Sequence, residues 1–87
     1  MSKELYEEIA KRYGIQAGSP KQTLNRAVRT LPGGTETLEA LESLNSARNH
    51  AEKHKALDRV VAIDAAIDRV EEIREAMVKH IIASCQT

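Results

Sequence analysis

The sequence predicts an all-α protein, a small helical bundle with two short N-terminal helices and a long C-terminal helical segment that is either continuous, as in a coiled coil, or broken into a hairpin. Three observations carry that prediction. Apolar residues recur at spacings of three, four and seven along most of the chain, the period of one helical face. All four Gly and both Pro lie between residues 14 and 34, so no strong helix breaker follows Gly34. The run Ser19-Pro20-Lys21-Gln22 combines an N-cap serine, a first-turn proline and a glutamine at the third helical position, a capping box at a favoured helix start.

The first segment, from about Ser2 to Tyr13, places Leu5, Ile9, Ala10 and Tyr13 on one face and stops at Gly14. Glycine accepts the left-handed conformation of a C-terminal cap, and Ile15 is positioned to fold back on the last turn. After the loop QAGS, the capping box opens a second helix whose apolar side is Leu24, Ala27, Val28 and Leu31, ended by Pro32-Gly33-Gly34. A third helix begins at Thr35, where Glu36, Glu39 and Glu42 suit the positive end of the helix dipole and Leu38, Leu41 and Leu44 supply the apolar side.

A second apolar stripe runs Val60, Ile63, Ile67, Val70, Met77, Ile81. At about 100° per residue it lies about 90° away from the face of Leu41, Leu44 and Ala51, so one straight helix would face two ways. A single helix of roughly 75 Å serving two partners is one solution. The expectation here is a break near Asn45–Asn49, where Asn49 with Glu52 resembles another capping box.

A domain of 87 residues buries only about 60 to 65% of its unfolded surface. With two Tyr and neither Phe nor Trp, no bulky residue anchors the interior, and self-association is the expected remedy. The chain reads as one domain with a basic two-helix segment, residues 1–34, and a long helical oligomerisation segment, residues 35–87. The first carries six Lys or Arg against three Glu, the second seven against ten Asp or Glu, which cancel overall but differ in sign. The opening residues lack an apolar signal core and no stretch approaches the roughly 18 apolar residues of a membrane span. A cytoplasmic protein without membrane contact is expected, and the lone Cys85, read as exposed or frayed, allows no intrachain disulfide.

Several patterns bear on chemistry. HAEKH at 50–54 puts two imidazoles on one face, but the metalloprotease pattern needs Glu directly after the first His, where Ala51 stands. The pair reads as a solvated face, and no metal or other cofactor is expected. Asp64, Asp68, Glu71 and Glu75 form an acidic stripe, and like charges four residues apart repel, so it is either a solvated flank or a docking surface for a basic partner. No Gly-framed serine and no phosphate loop is present, and an enzyme is not expected.

Arg74 falls near the centre of the apolar stripe, where an unpaired charge is costly. Either it pairs with a carboxylate on an opposing helix or its stem lies on apolar surface with its head in water. The stripe itself looks too wide for the short upstream helices to cover. An oligomer interface is therefore expected at Val60, Ile63, Ile67, Val70, Arg74, Met77 and Ile81, in a non-enzymatic protein that self-associates, as a dimer or higher, and binds another macromolecule, most plausibly a protein, as adaptor, inhibitor or regulatory subunit.

Two other readings compete. IAKRYGI followed by PKQTLNRAVRTL resembles a helix-turn-helix, with Lys21, Asn25, Arg26 and Arg29 on the second helix available to phosphates or bases. Thr23 follows Gly14 by nine residues, where the motif wants about five, so the loop lengthens a turn that should be tight. A dimeric DNA-binding transcriptional regulator is the alternative that this segment supports. An oligomer holding a small anionic ligand among Arg26, Arg29, Tyr6 and Tyr13 is the third.

Overall fold

The computed structural model describes residues 3–86, which form four helices: α1 Lys3–Arg12, α2 Pro20–Arg29, α3 Gly34–Lys53 and α4 Leu57–Cys85. The predicted all-α bundle is the observed one. α3 and α4 form a long hairpin, and the two short helices pack around one end of it, α1 on α2 and α4, α2 on α3 and α4. The result is an elongated molecule of 46 × 21 × 20 Å.

The local signals act where the residues predict. Gly14 takes φ 64°, and Ile15 N–H donates to Ala10 C=O at 2.9 Å, so Ile15 returns onto the core as the left-handed cap requires. At α2, Gln22 N–H donates to Ser19 Oγ at 3.2 Å and Ser19 N–H to Gln22 Oε1 at 3.4 Å, the reciprocal capping box. Thr23 is fully buried with its hydroxyl accepting from Gly18 N–H at 3.0 Å, so the buried oxygen is satisfied.

The α2–α3 junction depends on Gly34. A Cβ built there would lie 1.7 Å from the Val28 carbonyl oxygen, so the third helix begins beside backbone that only glycine can approach.

The predicted break is real, but its position is corrected. α3 continues through Asn45–Asn49 and stops at Lys53. Lys55 adopts φ 56°, Lys55 N–H donates to Glu52 C=O at 3.0 Å and Ala56 N–H to Ala51 C=O at 2.8 Å, the bond pair of a left-handed C-cap made without glycine. Asn49 has no need to cap a helix because the alanine-containing run around it stays helical. The turn closes instead where Ala51, 3% exposed, and half-buried Ala56 let α4 fold back.

The solvent-free core consists of Ile9, Ala27, Val28 and Ile81, with Leu5, Tyr6, Tyr13, Leu24, Leu38, Met77 and Val78 among the residues packed on it. It therefore sits at the end of the hairpin that α1 and α2 cover. Arg12 donates to the Ser84 carbonyl, and the Tyr13 hydroxyl bonds Ser84 Oγ at 2.8 Å, which ties the end of α1 to the last turn of α4. Cys85, expected to be frayed, is half-buried against this core.

The apolar stripe of α4, expected at an oligomer interface, lies largely against the chain's own helices. Ile67 and Ile81 are buried within the chain, and Val60, Ile63, Val70, Arg74 and Met77 are half-buried. An antiparallel hairpin supplies α4 with α3 as a partner, and α1 and α2 cover its C-terminal half. The stripe predicted as an oligomer interface is turned onto the molecule itself.

Candidate binding surfaces

Arg74 finds its partner inside the chain. Its Nε and Nη2 donate to Asn25 Oδ1 at 3.2 and 2.8 Å, so a neutral amide on α2 takes the place of the expected carboxylate or water. This bond spans an open cleft of about 810 Å³ between α2, α3 and α4. Leu24, Leu38 and Leu41 line it with apolar surface; Lys21, Arg29 and Arg74 contribute positive charge; Glu42, Glu71 and Glu75 contribute negative charge. None of these six belongs to the ion pairs found among the described residues, which are Lys3–Glu7, Arg48–Glu52 and Arg48–Asp64. A cleft with apolar walls and charges of both signs outside those ion pairs is complementary to an amphipathic segment more than to a purely anionic one.

Three of the four residues predicted to meet an anion, Lys21, Asn25 and Arg29, border this cleft. Arg26 does not join them: its Nη1 donates to Gln16 C=O at 2.8 Å and holds the α1–α2 loop. Tyr6 and Tyr13 pack on the core and do not line this cleft.

Exposed apolar side chains also mark α4. The large apolar side chains exposed there are Leu57 at 70%, Val61 at 70% and Ile73 at 52%, none of which the sequence periodicity singled out. Ile73, Ala76, Met77 and His80 also line a shallow, mostly apolar groove of about 470 Å³ against Leu31 and Pro32. The signal that finds these residues is negative: they are the apolar residues of α4 that fall outside its main stripe.

The acidic stripe of α4 divides. Asp64 accepts from Arg48 Nε at 2.5 Å, and Arg48 Nη1 reaches Glu52 at 2.6 Å, so one arginine links α3 to α4 near the turn. The hydrogen bond from Asp64, then its charge, raises the Arg48 guanidinium above its ordinary pKa, and the cation persists at any working pH. Asp68, Glu71 and Glu75 remain exposed. Arg48 was not anticipated; its pairing with Glu52 at i,i+4 was legible, its bond across the hairpin was not.

His50 and His54 are exposed, with ring centroids 4.4 Å apart and planes tilted by 47°. No group of three or more His, Cys, Asp or Glu side chains among the described residues is placed to hold a metal ion. No helix among them is long and apolar enough to cross a membrane. No family model, no curated protein and no solved structure matches the chain.

Proposed function

We propose that this chain is a non-enzymatic helical protein that self-associates and acts by binding another protein, as an adaptor, inhibitor or regulatory subunit. The observation that carries the reading is the apolar surface that α4 leaves in water: Leu57 and Val61, one turn apart near its start, and Ile73, which borders an apolar groove farther along the helix. Large apolar side chains left in water on a small domain mark contact surfaces. The mixed-charge cleft of α2, α3 and α4 supplies a second surface, suited to a partner segment that brings an apolar side and charges of both signs. The two surfaces divide the labour: the apolar surface of α4 for a second copy, the cleft for the partner.

The test has two arms. Light scattering coupled to size exclusion, at micromolar concentration, should report an oligomer for the native chain and a monomer for Leu57→Glu/Val61→Glu/Ile73→Glu; a native monomer overturns the association. Capture from host lysate should recover a protein with the native chain and lose it with Lys21→Glu/Arg29→Glu. Equal recovery by both overturns the cleft as the docking site.

The DNA-binding regulator remains the second reading, supported by Lys21, Arg26 and Arg29, all exposed on α2. Asn25, the residue type best fitted to read adenine, is half-buried and holds Arg74 instead. A gel shift with random duplex at low salt that weakens in Arg26→Ala/Arg29→Ala would favour DNA over a protein partner.

A further inference from the structure

We propose that His50 and His54 form a two-imidazole chelate for a borderline divalent transition ion, Zn²⁺, Ni²⁺ or Cu²⁺, at the tip of the α3–α4 hairpin. The spacing of four residues stacks the two side chains on one face, one helical turn apart. In this chain the rings lie with centroids 4.4 Å apart. Two nitrogens bound at about 2.0–2.1 Å in a tetrahedral shell sit roughly 3.3 Å from one another. Because a bound ion lies in the plane of each ring on the nitrogen lone pair, the rings must turn about their side-chain bonds and part slightly to aim one nitrogen each at a common point, a movement within reach of two exposed side chains one helical turn apart. Both residues are exposed, and no hydrogen bond to either ring is found among the described residues. The lone pairs are accordingly available.

The surroundings set the character of the site. Glu52 is drawn to Arg48, and no third protein ligand is in place among the described residues, so water fills the remaining positions. Lys53 and Lys55 flank the pair and weaken cation binding electrostatically. Neutral nitrogen ligands also select against Mg²⁺ and Ca²⁺, which prefer oxygen. The ion would join the last turn of α3 to His54, its C-cap residue, immediately before the left-handed Lys55. It therefore acts as a clamp on the segment where the hairpin reverses. This inference is independent of the binding function proposed above.

Thermal unfolding of the full chain with Zn²⁺ near pH 7.5, against EDTA and against Mg²⁺, tests it. An ion at about tenfold its dissociation constant favours the folded state about elevenfold, which reads as roughly 5–10 °C in Tm for a domain of this size. The shift is expected in the native chain and in the controls Cys85→Ser and His80→Gln, and is expected to vanish in His50→Gln and in His54→Gln. Each variant's own metal-free Tm is its reference, so any loss of stability from the substitution itself, as at half-buried Cys85, does not enter the shift. Ni²⁺ should broaden amide resonances of residues 49–56 first in the NMR spectrum. Absence of both the Tm shift and the selective broadening, or either effect surviving in His50→Gln or following Cys85, overturns the proposal.

Discussion

Lys55 holds the turn between α3 and α4 in a conformation that suits glycine better. Its φ of 56° costs a side-chain-bearing residue about 1 kcal/mol, while glycine loses some of that advantage through its freer unfolded chain. Lys55→Gly is expected to stabilise the protein by up to about 0.5 kcal/mol, read as a slightly higher urea midpoint with unchanged slope. Asn25 and Arg74 give the converse case. A hydrogen bond to a charged group contributes about 1.5–3 kcal/mol when buried, and this pair is only half-buried. Asn25→Ala, which removes the guanidinium's partner, should cost about 1 kcal/mol. Arg74→Met should cost less, because it keeps the stem's packing and returns the Asn25 amide to water; equal losses in chemical denaturation would show that the charge is already solvated.

Each helix depends on its ends more than on its interior, since the fully buried residues are few and small. The capping box of α2 satisfies two otherwise orphaned N–H groups, and Ser19→Ala is expected to cost about 1 kcal/mol. The α2–α3 junction tolerates less. A methyl group at Gly34 overlaps the Val28 carbonyl, and relief requires moving the C-terminal end of α2 away from the core cluster that Val28 anchors. Gly34→Ala should therefore cost upwards of about 3 kcal/mol, visible as a fall in Tm of well over 10 °C. At the far end of the hairpin, Arg48 bridges Glu52 and Asp64 in a partly exposed position. Arg48→Ala should raise amide exchange around the turn, and high salt should have the same effect in the native chain because screening acts on exposed pairs.

At the scale of the whole molecule, the core is concentrated where α1 and α2 embrace one end of the hairpin, and the opposite end is a two-helix extension with little enclosed volume. Such an extension opens locally at lower free energy than the core end. Hydrogen exchange is expected to be slowest around Val28 and Ile81 and fastest near residues 53–60. Leu57, Val61 and Ile73 are exposed and outside the buried core, so Leu57→Glu/Val61→Glu/Ile73→Glu should leave the Tm of the dilute protein within a few degrees of native while abolishing association. A large loss of dilute-state stability in that variant would place those side chains in the fold instead of on a contact surface.

The residues by themselves determined the helical class, the stop at Gly14, the start at Ser19 and the reversal beyond Pro32, because each is a decision made within four or five residues by hydrogen bonds and allowed dihedrals. The need for a second reversal was legible too, from two apolar faces that one straight helix cannot serve. Its location was not: Asn49 offered a local cap, but the turn formed where Ala51 and Ala56 allow two helices to meet, which is a property of their packing. For the same reason the stripe from Val60 to Ile81 read as a surface awaiting another chain. A helical period says that a face must be covered, and only the tertiary arrangement decided that α3, α2 and α1 cover it, leaving Leu57, Val61 and Ile73 outside and bringing Arg74 to Asn25 across 49 residues of sequence.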